Sequence, residues 1–366
     1  MKIKVTQSTL IKQLELVGKI ATKHVTLPVL QCVLIDVTEE VVTLRTTNLE
    51  IATEVQLQDA VVEEVGTVAI PAATFLQTIQ YLNSKQVTLQ TTEDGVLEVV
   101  TANTTTTIKP IPHDEFPTIP KIEGTEISIN HHQFALGIKT TAIAASQSSI
   151  KPELGSVYIH QKKEHSLTFV ATDSFRLMEK TVSQKGVALD ASLLIPYKNA
   201  LELARFCDVV DEDPVLLVTD NQCALRFTNG VYVTTRLVTG TFPDYNSIIP
   251  KEYTTYSTIL KQDLLTSLKK TNVFLNKFRQ VRLFVQSSAI KISSQNNEVG
   301  TVVDEIPAQT DGDELELSFN QQYLSDPLSH IVDDSIVLQF AGIGRPLVMT
   351  GVNDSSLRYL VMPMNK

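Results

Sequence analysis

Ala171-Thr172-Asp173-Ser174-Phe175-Arg176-Leu177 and the closing run Leu360-Val361-Met362-Pro363-Met364-Asn365-Lys366 are the two stretches on which the reading of this chain turns. Taken separately, they read as a strand end with a turn and as a C-terminal strand. Asp173 has no histidine near it in sequence to activate a neighbouring hydroxyl, so a turn-stabilising side chain is expected in place of a general base. Between the two stretches lie Phe242-Pro243-Asp244-Tyr245 and Ile249-Pro250. A near twin of that phrase, Phe116-Pro117-Thr118-Ile119-Pro120, occurs earlier. Each reads as the end of a domain leading into a linker.

Working outward, the chain reads as one pattern written three times. A short alternating strand precedes an amphipathic helix in each copy. Lys2-Ile3-Lys4-Val5 leads through Ser8, as N-cap, to Leu10, Leu14, Val17 and Ala21. Glu126-Ile127-Ser128-Ile129 leads through Asn130 to Phe134, Ile138, Ala142 and Ala145, and the strand around 253–260 leads to Leu264, Leu268 and Leu275. A second helix follows Ile70-Pro71, Ile195-Pro196 and Phe319-Asn320, with proline expected at the first helical position. Pro71, Pro196 and Asn320 stand 125 and 124 residues apart. Val-, Thr- and Ile-rich alternating runs such as 41–47, 166–172 and 281–292 read as antiparallel strands. A period this long is a domain triplication and not a solenoid. The expectation is an α+β fold of three domains, 1–121, 125–250 and 252–366, each with two helices packed on antiparallel sheet.

Composition agrees. The 366 residues are 43% hydrophobic and 20% charged, as in a globular protein with material for several cores. No run approaches the roughly 18 apolar residues of a membrane span, and the N-terminus lacks the apolar segment of a signal peptide. Cys32, Cys207 and Cys223 are odd in number and far apart, which points to reduced thiols in a cytoplasmic protein. Chemistry is sparse: there is no G-x-x-x-x-G-K-[ST], no G-x-S-x-G and no C-x-x-C. His131 and His132 are adjacent, hence expected on different helix faces and unable to share a zinc ion. Asp208, Asp211, Glu212 and Asp213 read as a solvated acidic loop. No catalytic residue, metal or cofactor is expected.

The 171–177 stretch, the tail and the Phe242–Pro250 phrase, in this order and at these separations, resemble the bacterial DNA polymerase III beta subunits, the ring-shaped sliding clamps of replication. Leu27-Pro28-Val29-Leu30, Thr46-Thr47-Asn48-Leu49-Glu50 and Phe116-Pro117 extend the resemblance over the whole chain. It implies a head-to-tail homodimer closed into a ring, with helices lining a hole that encircles duplex DNA. It also implies a hydrophobic pocket for short motifs of the replicative polymerase, the clamp loader and other proteins. The pocket would draw on Leu154, Thr172, Ser174, Phe175, Arg176 and Leu177, on Pro243, Ser247 and Ile248, and on Leu360, Val361, Met362, Pro363 and Met364. Methionines adapt to varied guests, and Arg176 would steer a polar or acidic residue of the peptide. Phe175, Ser247 and Asn365 stand where the family often carries histidine or basic residues, so the pocket should be less basic and more apolar.

Net charge, −10, speaks against nucleic acid, but local distribution decides binding. Lys12, Lys19, Lys23 and His24 belong to or follow the first helix. Lys139 lies on the first helix of the second copy, and Tyr197, Lys198 and Arg205 on its second; Lys261, Lys269 and Lys270 follow in the third. Acidic residues gather elsewhere, at 39–40, 63–64, 208–213 and 311–316. The resemblance turns this bias into a DNA-facing lining that neutralises phosphates without reading bases. It assigns Thr106, Phe274 and Leu275 to the dimer contact. Two other readings remain: a metal-dependent hydrolase or nucleotidyl transferase at the acidic segments, and a monomeric adaptor without a DNA role.

Overall fold

Two turns 125 residues apart fold alike. Thr47 Oγ1 donates to the Ile51 carbonyl and accepts from the Leu49 N–H, while Asn48 Oδ1 accepts from the N–H groups of Glu50 and Ile51. Thr172 and Asp173 repeat every one of these bonds with Arg176, Ser174 and Phe175. The residue that the side chains enclose is left-handed in both, Leu49 at φ 76° and Ser174 at φ 78°. Short Thr, Asn and Asp side chains satisfy backbone groups that such a turn would otherwise strand. Asp173 is thus a turn residue, as expected.

The computed structural model describes residues 1–148 and 150–364. By contact the chain divides into two compact units, one of Met1–His132 with Glu202–Leu237 and one of Gln133–Leu201 with Val238–Lys366. In the first unit, a five-stranded sheet runs in the order Val61–Glu64, Lys2–Thr6, Gln86–Thr91, Leu97–Val100, Thr105–Ile108. An eight-stranded sheet joins the first two copies where Tyr232–Arg236 lies antiparallel to Ile51–Gln56, with Tyr232 opposite Glu54. Helices α1 (Gln7–Val17) and α2 (Ala72–Gln80) pack on each other, α1 burying Leu10, Leu14 and Val17 and α2 burying Phe75 and Ile79. Gln7 Nε2 donates to the Ile79 and Leu82 carbonyls, both at 2.7 Å, closing the end of α2. Ser8 lies inside α1, whose N-cap is Thr6, and Pro71 falls one residue ahead of α2; each boundary moves because the preceding strand runs directly into the helix.

The second unit repeats the plan. A nine-stranded sheet joins the second and third copies where Arg176–Ser183 lies antiparallel to Leu357–Val361. A four-stranded sheet ends in the long edge strand Gly300–Pro307. α3 (His131–Thr141) buries Phe134 and Ile138, and α5 (Lys261–Thr271) buries Leu264 and Leu268. Gly137 is required, since a Cβ there would lie 2.3 Å from the Phe169 ring beneath the helix. α4 (Tyr197–Val210) begins directly after Pro196. The last helix, α6 (Gln321–Ser325), is shorter than its periodicity suggests, because Pro327 cannot continue it and the chain proceeds as a 3-10 turn over Asp326–Ser329.

Cys32, Cys207 and Cys223 are buried, and burial pushes the thiols of Cys32 and Cys223 up to about 12. Among the described residues, no helix is long and apolar enough to cross a membrane.

Candidate functional site

Strand pairing at the second joint brings the two diagnostic stretches together. Arg176 lies opposite Val361 and Leu177 opposite Leu360. The chain therefore leaves its last strand beside the 173–175 turn, where the Met362 N–H donates to the Phe175 carbonyl at 2.8 Å. Met364 N–H then reaches the Ser318 carbonyl at 2.7 Å, so the tail lies pinned at two points. Below it, Leu177 and Leu360 pack with Val170, Val348, Phe242 and Tyr245, and Met362 rests on this cluster.

Burial divides the expected pocket residues into two groups. Leu154, Thr172, Leu177, Leu360 and Val361 are buried and offer solvent almost no surface. What solvent reaches is a lip of Phe175 (62% exposed), Ile248 (48% exposed), Ser174, Pro243 and Ser247, with Met362, Pro363 and Met364 half-buried. Asn365 lies outside the described residues. Thr172, Leu177, Leu360 and Val361 lie within strands covered on both faces, whereas Ser174, Phe175, Pro243, Ser247 and Ile248 lie in turns and connecting chain outside the strands.

The Phe242–Ile248 segment is held by polar anchoring. Phe242 stacks on Tyr158 at 4.7 Å between centroids. Tyr245 donates to Glu179 Oε2 at 2.8 Å, and His160 Nε2 lies 3.1 Å from the same phenol. Burial, and then the Glu179 charge, push the Tyr245 phenol above its ordinary value, while burial pushes His160 down. Glu179 also faces Lys162 at 3.5 Å and Arg358 at 3.6 Å. These contacts fix the 3-10 turn Tyr245–Ile248 and thereby place Ile248 at the lip.

Arg176 does a different task from the one expected. Its guanidinium is buried, 3.0 Å from Asp173 and 2.5 Å from Asp326, and lies 4.4 Å over the Tyr323 ring. Burial alone would lower its pKa; Tyr359, Asp326 and Asp173 outweigh that and raise it. A charge so engaged is not free to steer a peptide. It ties the turn to the 3-10 segment instead. Arg176→Ala leaves two carboxylates facing a buried gap and should destabilise by about 3 kcal/mol, read as a melting temperature several degrees lower. An unchanged melting temperature would overturn this locking role.

The residues expected to face DNA divide similarly. Lys12, Lys19 and Lys23 are exposed and line one cavity of about 820 Å3 together with Arg205. Arg205 itself is committed: Glu202 lies 2.6 Å away and the Leu16 carbonyl 2.8 Å, so it clamps α4 to α1 and offers little free charge. His24 is exposed, with Nδ1 accepting the Leu27 N–H at 3.1 Å. Lys139 and Lys198 are exposed, and half-buried Tyr197 packs against the third copy's core. Lys261 donates to the Ile331 carbonyl and Lys270 pairs with Asp304 at 2.9 Å, which leaves exposed Lys269 as the simplest cation of α5. Thr106 sits half-buried on the edge strand Thr105–Ile108. Phe274 lies beside Gly300, whereas Leu275 packs on the core of the third copy.

One cluster escaped sequence reading. His131 and His132, expected to diverge, open α3 with ring centroids 3.9 Å apart, and Asp211 and Asp213 of the expected solvated loop both converge on His131. Adjacent residues diverge along a helix, but at its first turn both side chains can meet a neighbouring segment, which spacing does not reveal.

Sequence profiles of the N-terminal, central and C-terminal domains of the DNA polymerase III beta subunit match residues 1–120, 128–244 and 246–365. The beta sliding clamp of Staphylococcus aureus is 26% identical over 376 aligned residues, spanning 100% of this chain and 99% of that one. The DNA polymerase III subunit beta of Pseudomonas aeruginosa is 25% identical with a TM-score of 0.93, covering 100% of both chains. The beta chain from Streptococcus pneumoniae, 23% identical over 100% of both chains, has the same fold with a TM-score of 0.95. With profiles for all three domains in order along its length, the chain belongs to the DNA polymerase III beta subunit family, the beta sliding clamps, which are processivity factors without catalytic activity of their own.

Proposed function

We propose that two copies of this chain close head to tail into a ring around duplex DNA in the cytoplasm, and that the joint beside the tail takes short apolar motifs of the polymerase and other DNA-processing proteins. The domains of such a ring are 1–121, 125–250 and 252–366. Two open sheet edges carry the reading. Thr105–Ile108 ends one sheet and Gly300–Pro307 ends another, each with a row of backbone groups that sheet pairing leaves available. Beside the second edge Val303 is 64% exposed, Val299 59% and Phe278 58%. A long edge with exposed apolar residues invites pairing with another strand. Joining two different edges is a heterologous contact, which makes a closed ring when the rotation permits. Lys12, Lys19 and Lys23 supply sequence-independent attraction for phosphates.

The decisive experiment is topological. The protein, loaded on closed circular DNA, should stay bound through gel filtration and be lost once the circle is linearised. Equal loss from both forms would exclude encirclement. Lys12→Glu with Lys19→Glu should weaken retention and flatten its salt dependence by about 0.9 log unit for each phosphate no longer neutralised.

A further inference from the structure

We infer that the start of α3 and the end of α4 form a binding site for a divalent metal ion of the zinc class, with His131, His132 and Asp211 as ligands. The three donor atoms, one ring nitrogen from each imidazole and one carboxylate oxygen, lie within 4.8 Å of one another. Asp211 Oδ1 is 3.1 Å from His131 Nε2 and 3.8 Å from His132 Nε2. Ligand atoms of a tetrahedral zinc with bonds near 2.0–2.1 Å stand about 3.3 Å apart, so modest side-chain rotation completes the set. All these residues belong to the first unit.

A supporting carboxylate distinguishes this cluster from a chance meeting of surface groups. Asp213 Oδ1 lies 2.6 Å from His131 Nδ1 and also accepts the His131 backbone N–H at 2.9 Å and the Asn130 amide at 3.1 Å. When an ion takes the place of the proton between His131 Nε2 and Asp211 Oδ1, the carboxylate on Nδ1 holds the tautomer that directs the Nε2 lone pair at it and raises its basicity, as partners of metal-bound histidines do. His131 is 8% exposed, so its ring is held in place before any ion arrives. Asp211 sits in the left-handed region at φ 56°, with its N–H on the Cys207 carbonyl, so the α4 terminus turns it toward the histidines. Two imidazoles and one carboxylate suit zinc, cobalt or nickel and disfavour calcium and magnesium, which take oxygen ligands. Three protein ligands leave a fourth position for water, and exposed His132 and Asp211 leave the ion exchangeable.

The test uses the full-length protein stripped with a chelator and titrated with Co2+ or Zn2+. Visible absorption of tetrahedral cobalt and calorimetry with zinc should report one ion per chain, with a melting temperature that rises with metal concentration. His132→Ala, at an exposed position, and Asp211→Asn, which tolerates the left-handed backbone, should each weaken binding at least about tenfold; Asp213→Asn should weaken it about 10–100-fold through orientation of His131. No binding below about 1 mM, a level worth only about 4 kcal/mol, would overturn the site. Binding that all three variants retain at full strength would equally overturn it, by placing the ion on other histidines.

Discussion

A chain carrying Phe274→Asp and Val303→Asp should sediment as a folded monomer. Val303 projects from the open edge strand with 64% exposure, and Phe274 lies against Gly300 at the start of that strand. In the proposed ring both are covered by the partner's Thr105–Ile108 edge, so a carboxylate there enters the interface unpaired. Breaking electrostatic balance at a buried position costs about 3–5 kcal/mol, which weakens association by two to four powers of ten at about 1.4 kcal/mol per tenfold. Val303→Asp alone, at a position outside the core, separates a weakened interface from an unfolded chain. Sedimentation equilibrium with circular dichroism is the check. A dimer of wild-type affinity would move the interface elsewhere, and a monomer that still held circular DNA would refute closure.

Truncation after Val361 should remove the proposed partner-binding lip and leave the proposed ring closed. The last strand, Leu357–Val361, keeps its pairing with Arg176–Ser183, while the bonds from Met362 to Phe175 and from Met364 to Ser318 disappear. Partner motifs expected for this family resemble Gln-x-x-Leu-Phe. Burying two large apolar side chains is worth about 1.5–3 kcal/mol each, and ordering a flexible peptide returns part of it, so intact protein should bind on the order of micromolar. Without Met362, Pro363 and Met364, the binding should become undetectable in fluorescence anisotropy, with dimerisation and DNA retention unchanged. Salt should matter little to the intact site, because Ser247 adds no charge and Arg176 is already paired. Full affinity in the truncated protein would place the peptide site elsewhere.

Much of this architecture is legible in residues alone. The 125-residue spacing of the second helices reports the triplication, and apolar spacing names Leu10, Leu14, Phe134, Ile138, Leu264 and Leu268 as core, all of them buried. Such features are local: a helix face or a turn is decided by residues within a few positions of one another. The Thr-Asn-Leu-Glu and Thr-Asp-Ser-Phe turns belong here too, since their hydrogen bonds close within five residues.

Tertiary structure decided how equivalent turns came to differ. At the first joint, the strand beside the 48–50 turn continues from Arg236, whose N–H meets the Glu50 carbonyl, into the next stretch of chain. At the second, the corresponding N–H belongs to Met362, and the chain passes from there through Pro363 to Met364, whose N–H meets the Ser318 carbonyl. Only pairing between strands far apart in sequence makes a lip there. The same distance hid the commitments of charge: Arg176 meets Asp326, Arg205 meets Leu16, and His131 meets Asp211 and Asp213 across separations that no periodicity records. Sequence lists which side chains carry charge. Whether that charge faces solvent or is spent on a partner depends on long-range contacts, because a neighbour a few ångströms away decides it regardless of where that neighbour lies along the chain.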